Sequence, residues 1–447
     1  MASVTLRSSC GCLAGLVALG AFASTPAWAL PTGGLFSGPV RPSGASGYYN
    51  PAALGTLRGP VTILVETGVI SADASYLRAG TSPFDGQPFS EASFSVVAPT
   101  LDFSVAFSTP WKPLKWGFSG FTASAASSDW PEDGPQAQHG TDGLFLSYSL
   151  VTGPIIGTRK FGFAAMAGPM YTAASLRYAF DYGAYANEEA GAPIFALEDP
   201  ALLGLVGADT SGWSWGASFG AWFAPTDWIR FGAGFVWLDS PDLQGELEAE
   251  LPPAFEETFP NQGFRIGGNV SIEYKLPWVL NLETEIDLGP LSLAVFFQYQ
   301  NKSIGDLNVF VLSEVEPDIL DPFVISVANM QDDWQVGGRL SYRLDPSFEF
   351  GVRFDVDPLA IPKETIHPVN LDFTSYEMGL GAQWQINDRW LLGGTYAYVY
   401  VPDLVVTESI FNPAAPSDSG FTRPSANGTY SVSAMKFLLS LRLQLGS

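Results

Sequence analysis

Residues 348–357 read Phe-Glu-Phe-Gly-Val-Arg-Phe-Asp-Val-Asp, and the alternation never slips. In an extended chain successive side chains point to opposite faces. Phe348, Phe350, Val352, Phe354 and Val356 therefore share one face, and Glu349, Gly351, Arg353, Asp355 and Asp357 share the other. The run 332–344 behaves alike: Trp334, Val336, Leu340, Tyr342 and Leu344 oppose Gln335, Gly337, Arg339, Ser341 and Arg343. Near the C-terminus, Phe437, Leu439, Leu441, Leu443 and Leu445 oppose Lys436, Ser440, Arg442 and Gln444.

Such segments recur along the chain. They are read as strands near 61–78, 92–109, 114–127, 143–152, 160–181, 213–224, 229–239, 264–288, 291–302, 332–344, 348–357, 373–386, 390–401 and 429–445. The connections alternate in length. Short ones fall at 110–113, 153–159, 225–228, 289–290, 345–347 and 387–389. Longer ones fall at 79–91, 128–142, 182–212, 240–263, 303–331, 358–372 and 402–428. An even number of two-faced strands, with short turns at one end and long loops at the other, is the pattern of an outer-membrane barrel. The expected fold is all-β, a transmembrane antiparallel barrel of about 14 strands. Closure leaves no unpaired edge in lipid.

Composition agrees. The chain is 47% hydrophobic and 14% aromatic, with 13 Trp and 32 Phe, yet only 15% charged. A soluble sandwich would bury the same apolar faces but rarely needs so much aromatic surface. Trp228, Trp278, Trp334, Trp390, Tyr398 and Tyr400 lie near strand ends, where interfacial girdles belong. No later segment offers about 18 uninterrupted apolar residues, so membrane-spanning helices are not expected.

The N-terminal residues 1–29 read as a cleaved secretory signal: Arg7, an apolar core over 13–22, then Ala27-Trp28-Ala29. The two cysteines, Cys10 and Cys12, both lie within it. The mature chain is expected to hold neither disulfides nor thiolate metal sites, and no cofactor is implied. Residues 30–58 are rich in Gly, Pro and Ser and include Gly47-Tyr-Tyr-Asn-Pro-Ala-Ala-Leu54. This segment is too irregular to cross lipid, since non-helical backbone at that depth must be buried in protein or lumen. It is read as an N-terminal hatch inside the lumen, with Tyr49, Asn50, Pro51 and Ala52 at its centre and the barrel occupying 59–447. Pro51 fixes its own φ and biases Asn50 away from the helical region, while Asn50 bonds nearby backbone.

Net charge is −24, which argues against a nucleic-acid partner. Acids gather in long connections, as at Glu246, Glu248, Glu250, Glu256 and Glu257, and read as solvated surface. Arg339, Arg343, Arg353 and Arg442 fall on the polar faces. They are expected to line the lumen and pair with acids such as Glu349, Asp355 and Glu377; contact with a ligand carboxylate is the alternative. His139 and His367 fall in two different long loops, and nothing selects a nucleophile to join them. Short apolar helices are expected around 194–206 and 243–259.

Two strands change phase. Phe94 and Val96 are even, Leu101, Phe103, Val105 and Phe107 odd, with Pro99 between. Phe161 and Phe163 are odd, Leu176, Tyr178 and Phe180 even, with Gly168-Pro169 between. Leu276-Pro277 interrupts a third strand. A one-residue phase change calls for a bulge, and proline removes a ladder donor. Pro99, Gly168, Pro169 and Pro277 are thus candidates for a gap in the wall, Pro99 foremost.

The Tyr-Asn-Pro-Ala-Ala element, the segment from Trp334 to Tyr342, and Phe350-Gly-Val-Arg-Phe-Asp-Val-Asp-Pro358 followed by Ile361-Pro362 and Pro368 resemble the FadL-type outer-membrane transporters. The resemblance covers essentially the whole mature chain. It implies passive uptake of long-chain fatty acids or other hydrophobic compounds, aromatic hydrocarbons included, through capture at outer loops, hatch displacement and lateral exit. The implied partners are a hydrophobic small molecule, outer-membrane lipids and the barrel-assembly machinery, in the outer membrane of a Gram-negative bacterium. No enzymatic activity is expected. The long loops carry few basic residues that would meet a carboxylate, and the chain ends Leu445-Gly-Ser447 rather than with an aromatic residue. A general diffusion porin or a non-transporting adhesion or structural barrel remain the alternatives.

Overall fold

The structure, a computed structural model, describes residues 33–446 apart from 112, 159, 185, 186, 188–191, 251, 253, 255–264, 306, 317–322, 328, 369, 370 and 411–424. The proposed export signal thus lies outside the described residues. The strands are β1 (Val61–Arg78), β2 (Glu91–Ser108), β3 (Leu114–Asp129), β4 (Asp142–Gly157), β5 (Phe161–Asp181), β6 (Leu203–Phe223), β7 (Ile229–Leu238), β8 (Asp242–Glu250), β9 (Arg265–Glu273) and β10 (Val279–Leu288). Then come β11 (Leu291–Gln300), β12 (Leu307–Glu316), β13 (Phe323–Val327), β14 (Asp333–Asp345), β15 (Phe348–Asp357), β16 (Ser375–Gln385), β17 (Trp390–Tyr400), β18 (Leu404–Val406) and β19 (Gly428–Leu445).

Every pairing is antiparallel, and β1 pairs with both β2 and β19, so the sheet closes on itself. Four spans are broken pairs, β7/β8, β9/β10, β11/β12 and β13/β14, and β18 only caps the outer part of β19. The ring therefore has fourteen spans. Alternation decides orientation. Phe437 and Leu439 are 52% and 66% exposed on the outer face, while Lys436 between Met435 and Phe437 is 1% exposed. The outer face carries an apolar band with Trp213, Trp215, Trp228, Trp334, Tyr398 and Tyr400 exposed on it. That exterior is the one a membrane-spanning barrel needs. No described helix is long and apolar enough to cross a membrane.

Several expectations change. The β1–β2 register runs unbroken from Val61↔Phe107 to Leu77↔Glu91, so there is no bulge at Pro99. Phe94, Val96, Asp102 and Ser104 all face inward and are buried. What changes at Pro99 is the surroundings. Below it the outside is apolar (Leu101, Phe107) and the inside polar (Asp102, Ser104); above it the outside is polar (Ser93, Ser95) and the inside apolar (Phe94, Val96). The strand leaves the lipid zone as the lumen turns from polar to apolar. At Gly168-Pro169 the β5–β6 register is likewise continuous from Phe161↔Phe223 to Asp181↔Leu203, again without a bulge. The interruption expected at Leu276-Pro277 is present, as the break between β9 and β10.

The turn expected at 153–159 is shorter, because β4 continues to Gly157 and the β4–β5 pairs skip Gly153 and Pro154 among the described residues. The helix expected near 201–206 is strand, preceded by one 3-10 turn at Pro200–Leu202 that Asp199 caps. The helix expected from 243 is strand β8 as far as Glu250. Leu243, Leu247 and Ala249 are buried and Glu246, Glu248 and Glu250 exposed, a period of two that outweighed any helical preference.

Candidate functional site

Residues 33–58 bond to side chains from β1, β2, β6, β10, β14, β15 and β17, which surround them on all sides, so the segment lies inside the ring. A helical turn, Ser46–Tyr49, leads into a 3-10 turn, Pro51–Thr56. Asn50 joins them in an extended conformation (φ −170°, ψ 102°), as a residue before proline prefers. Its Oδ1 accepts from Ala52 N at 2.9 Å, and its Nδ2 donates to Pro39 O at 2.7 Å and to Ala221 O on β6 at 2.9 Å. The wall makes room: a Cβ on Gly220 would collide with Asn50 Oδ1, and one on Gly234 with Tyr49 O.

One flank of the segment is held by charge. Glu66 on β1 accepts from Gly34 N at 3.2 Å, from Ala45 N at 3.1 Å and from Ser37 Oγ. Glu283 Oε2 accepts from Val40 N at 2.8 Å. Arg41 pairs with Glu285 at 2.8 Å and Glu349 at 2.9 Å. Burial opposes the Arg41 charge, but those two carboxylates overcome it and raise its pKa above the usual value. Arg339 pairs with Glu283 (3.0 Å) and Glu285 (2.5 Å) and donates to Leu35 O; Arg353 pairs with Asp355 at 2.7 Å and donates to Ser37 O. Arg343 and Arg442 instead line a cavity of about 680 Å³ below the segment, on the short-turn side, and Arg442 donates to Gln385 at 2.6 Å. Glu377 pairs with Lys436 rather than with an arginine.

The other flank is apolar. Tyr48, Ala52 and Leu54 pack in one buried cluster with Phe121, Ile155, Met166, Trp222 and Val236. Burial raises the Tyr48 and Tyr49 phenols, so both stay neutral. That cluster continues to Phe145 on β4 and Tyr274, whose rings lie 4.3 Å apart, Tyr274 belonging to the strap that also holds Pro277.

A second apolar cluster fills the long-loop end: Tyr76, Phe94, Trp130, Ile361, Phe373 and Tyr430 are among its members. Nearby Arg78 forms a two-pronged pair with Glu198 at 2.7 and 2.8 Å. His139 and His367, both buried, bring two loops together with ring centroids 5.6 Å apart, and Trp130 Nε1 of the first loop donates to Pro368 O of the second at 2.9 Å.

The wall between β2 and β3 is closed over only its lower part. They pair from Phe103↔Gly120 to Ser108↔Lys115; above that, β2 pairs with β1 alone and β3 with β4 alone. A bulge at Ala123, between Thr122 and Ser124, bends β3 where the pairing stops. Side chains replace the ladder at that point. Asp102 Oδ1 accepts from Thr122 N at 2.9 Å, and Tyr148 Oη donates to Leu101 O at 3.2 Å. At the top, Phe94 on β2 meets Trp130, the residue after β3, edge to face at 4.5 Å. The unpaired stretch between these ties is roughly 20 Å long at about 3.3 Å per residue. Backbone polar groups alternate along a strand, and Leu101 O points across the opening. Pro99 therefore aims its nitrogen the same way, where proline has no hydrogen to leave unbonded.

Pro99 thus lies beside the unpaired stretch, while Gly168, Pro169 and Pro277 do not. Asp102, Tyr148, Ala123, Glu66, Glu283 and Glu285 went unnoticed in the sequence. A lone acid inside an apolar strand, as at Glu66 and Asp102, was the available signal.

Neither a family model nor any curated protein sequence matches this chain. Solved structures do. A FadL homologue from Pseudomonas aeruginosa matches with a TM-score of 0.75 at 16% identity, over 94% of this chain and 98% of that one. The toluene transporter TodX of P. putida matches at TM-score 0.65 and 14% identity, over 92% and 99%. The toluene transporter TbuX of Ralstonia pickettii matches at 0.61 and 14%, over 95% and 99%. The chain is a closed fourteen-strand barrel with the fold of the FadL-type proteins.

Proposed function

We propose that the protein is a passive outer-membrane channel for small hydrophobic compounds. It takes them into the apolar cluster at the long-loop end and releases them sideways through the β2–β3 opening. The observation that carries this reading is an unpaired stretch of wall flanked on β2 by Phe94 and Val96 and on β3 by Phe121. Sideways release keeps apolar area out of water, worth about 25 cal/mol per Å². The charged flank of residues 33–58 is tied to the wall too strongly to leave readily, so hatch displacement reduces to a local shift of the apolar flank around Tyr48. Exposed apolar groups on the outer loops, Phe84, Ile194 and Phe195, suit first capture. The Arg78 guanidinium is already matched by Glu198, which favours a neutral hydrocarbon over a fatty acid. TodX and TbuX, both described as toluene transporters, share the fold and support that choice.

The test is to restore the ladder. Replacing Pro99 with Val gives β2 the missing backbone donor, and deleting Ala123 removes the bulge in β3. Uptake of radiolabelled toluene by cells should then fall to the level of cells lacking the protein, with folded barrel in the membrane unchanged. Undiminished uptake with a closed ladder would sink the sideways route.

A further inference from the structure

We infer that the Phe94–Trp130 pair sets the largest cross-section that leaves through the β2–β3 opening, an inference that rests on the sideways-exit reading. The opening is a frame with four sides. Its two uprights are backbone: β2 is laddered to β1 through Phe94↔Ala74 and its neighbours, and β3 to β4 through Ala126↔Phe145 and its neighbours. Its sill is tied to backbone as well, through Asp102 to Thr122 N and Tyr148 to Leu101 O, just above the Phe103↔Gly120 pair. Only the lintel is made of side chains meeting ring to ring.

The β3 upright adds no obstacle. From Ala123 to Ser128 it reads Ala-Ser-Ala-Ala-Ser-Ser, none of which reaches far into the opening. The bulky groups at its upper limit are Phe94 and Trp130, both nearly inaccessible and 4.5 Å apart at 72°. Trp130 is itself pinned, by Trp130 N to Thr141 O at 2.6 Å and by Nε1 to Pro368 O at 2.9 Å. A ring held at its edge, its backbone and its indole nitrogen gives a limit of fixed size. A narrow apolar molecule can slip below it and meet the rings edge to face; a wider one must push the indole off Pro368.

The experiment compares neutral compounds of increasing width, toluene, naphthalene and pyrene, in cells carrying Trp130→Ala or Phe94→Ala. Uptake of pyrene relative to toluene should rise roughly tenfold in either variant, the scale on which an apolar contact discriminates. A parallel pair, Ser95→Cys with Ala125→Cys, allows a bismaleimide bridge across the opening, because cysteines occur otherwise only at positions 10 and 12. If the bridge stops uptake of all three compounds while both alanine variants keep the original size profile, the lintel does not set the limit and this inference fails alone. If the bridged protein still takes up all three, sideways exit fails and the inference with it. Heat-shifted gel mobility reports the folded barrel; should Trp130→Ala not fold, Trp130→Leu removes the ring while retaining part of the apolar volume and answers the same question.

Discussion

The two flanks of the inner segment are built on different physics. Residues 34–45 meet the wall through Glu66, Glu283, Glu285, Glu349, Arg339 and Arg353, all on β1, β10, β14 and β15. Residues 48–54 meet β3 to β7 mainly through rings, methyls and close backbone approach, with Asn50 to Ala221 O and Asn281 of β10 to Tyr48 O as the directed bonds. Charge pairs with fixed geometry hold one register, and breaking one leaves a buried ion. Apolar contacts have no direction and tolerate small slides. The segment is therefore anchored on one side and able to yield on the other, and the yielding side is the one nearest the unpaired wall.

Four experiments break or sharpen this contrast. The largest effect removes both flanks: deleting residues 33–58 should convert a blocked barrel into one with a clearly raised single-channel conductance in planar bilayers. Next, Glu285→Ala strips a shared partner from Arg41, Arg339 and Arg230. It should cost about 3–5 kcal/mol, seen as faster hydrogen exchange at the amides of residues 34–45 and not at those of β3. Third, Leu54→Ala on the apolar flank, where Leu54 is fully buried, should cost about 2–4 kcal/mol in urea unfolding, without loosening the charged flank. If it exposes residues 34–45 to exchange as well, the flanks are not independent. Smallest, Arg442→Gln, in the lower cavity and bonded to Gln385 rather than to the inner segment, should change stability by less than about 0.5 kcal/mol.

The barrel was legible because alternation is a direct projection of a two-faced wall. Strands such as 332–344 and 348–357 start and end within a residue or two of their predicted limits. Asn50 could be placed inside because an irregular segment has nowhere else to go at membrane depth. The same reading failed at Pro99 and Gly168-Pro169 because hydrophobicity reports surroundings, not backbone phase. Where lipid outside gives way to water, and a polar lumen to an apolar one, the pattern inverts while the strand runs straight. Glu285 was unreadable for another reason. Its partners lie 244, 54 and 55 positions away, and only barrel closure brings them together. The opening beside Pro99 came from pairing lost beyond Gly120 and a bulge at Ala123, in a run of small residues with no marker of its own.

One contact has a practical use. The chain has 2 histidines, and the fold stacks them against each other where two outer loops meet. In an untagged preparation their imidazole Hε1 protons give two resonances, free of overlap from any other histidine. Each ring shifts the other's signal by its ring current, an effect that fades within a few ångströms. Any parting of the loops over the mouth, on ligand entry or change of detergent, can thus be followed without attaching a label.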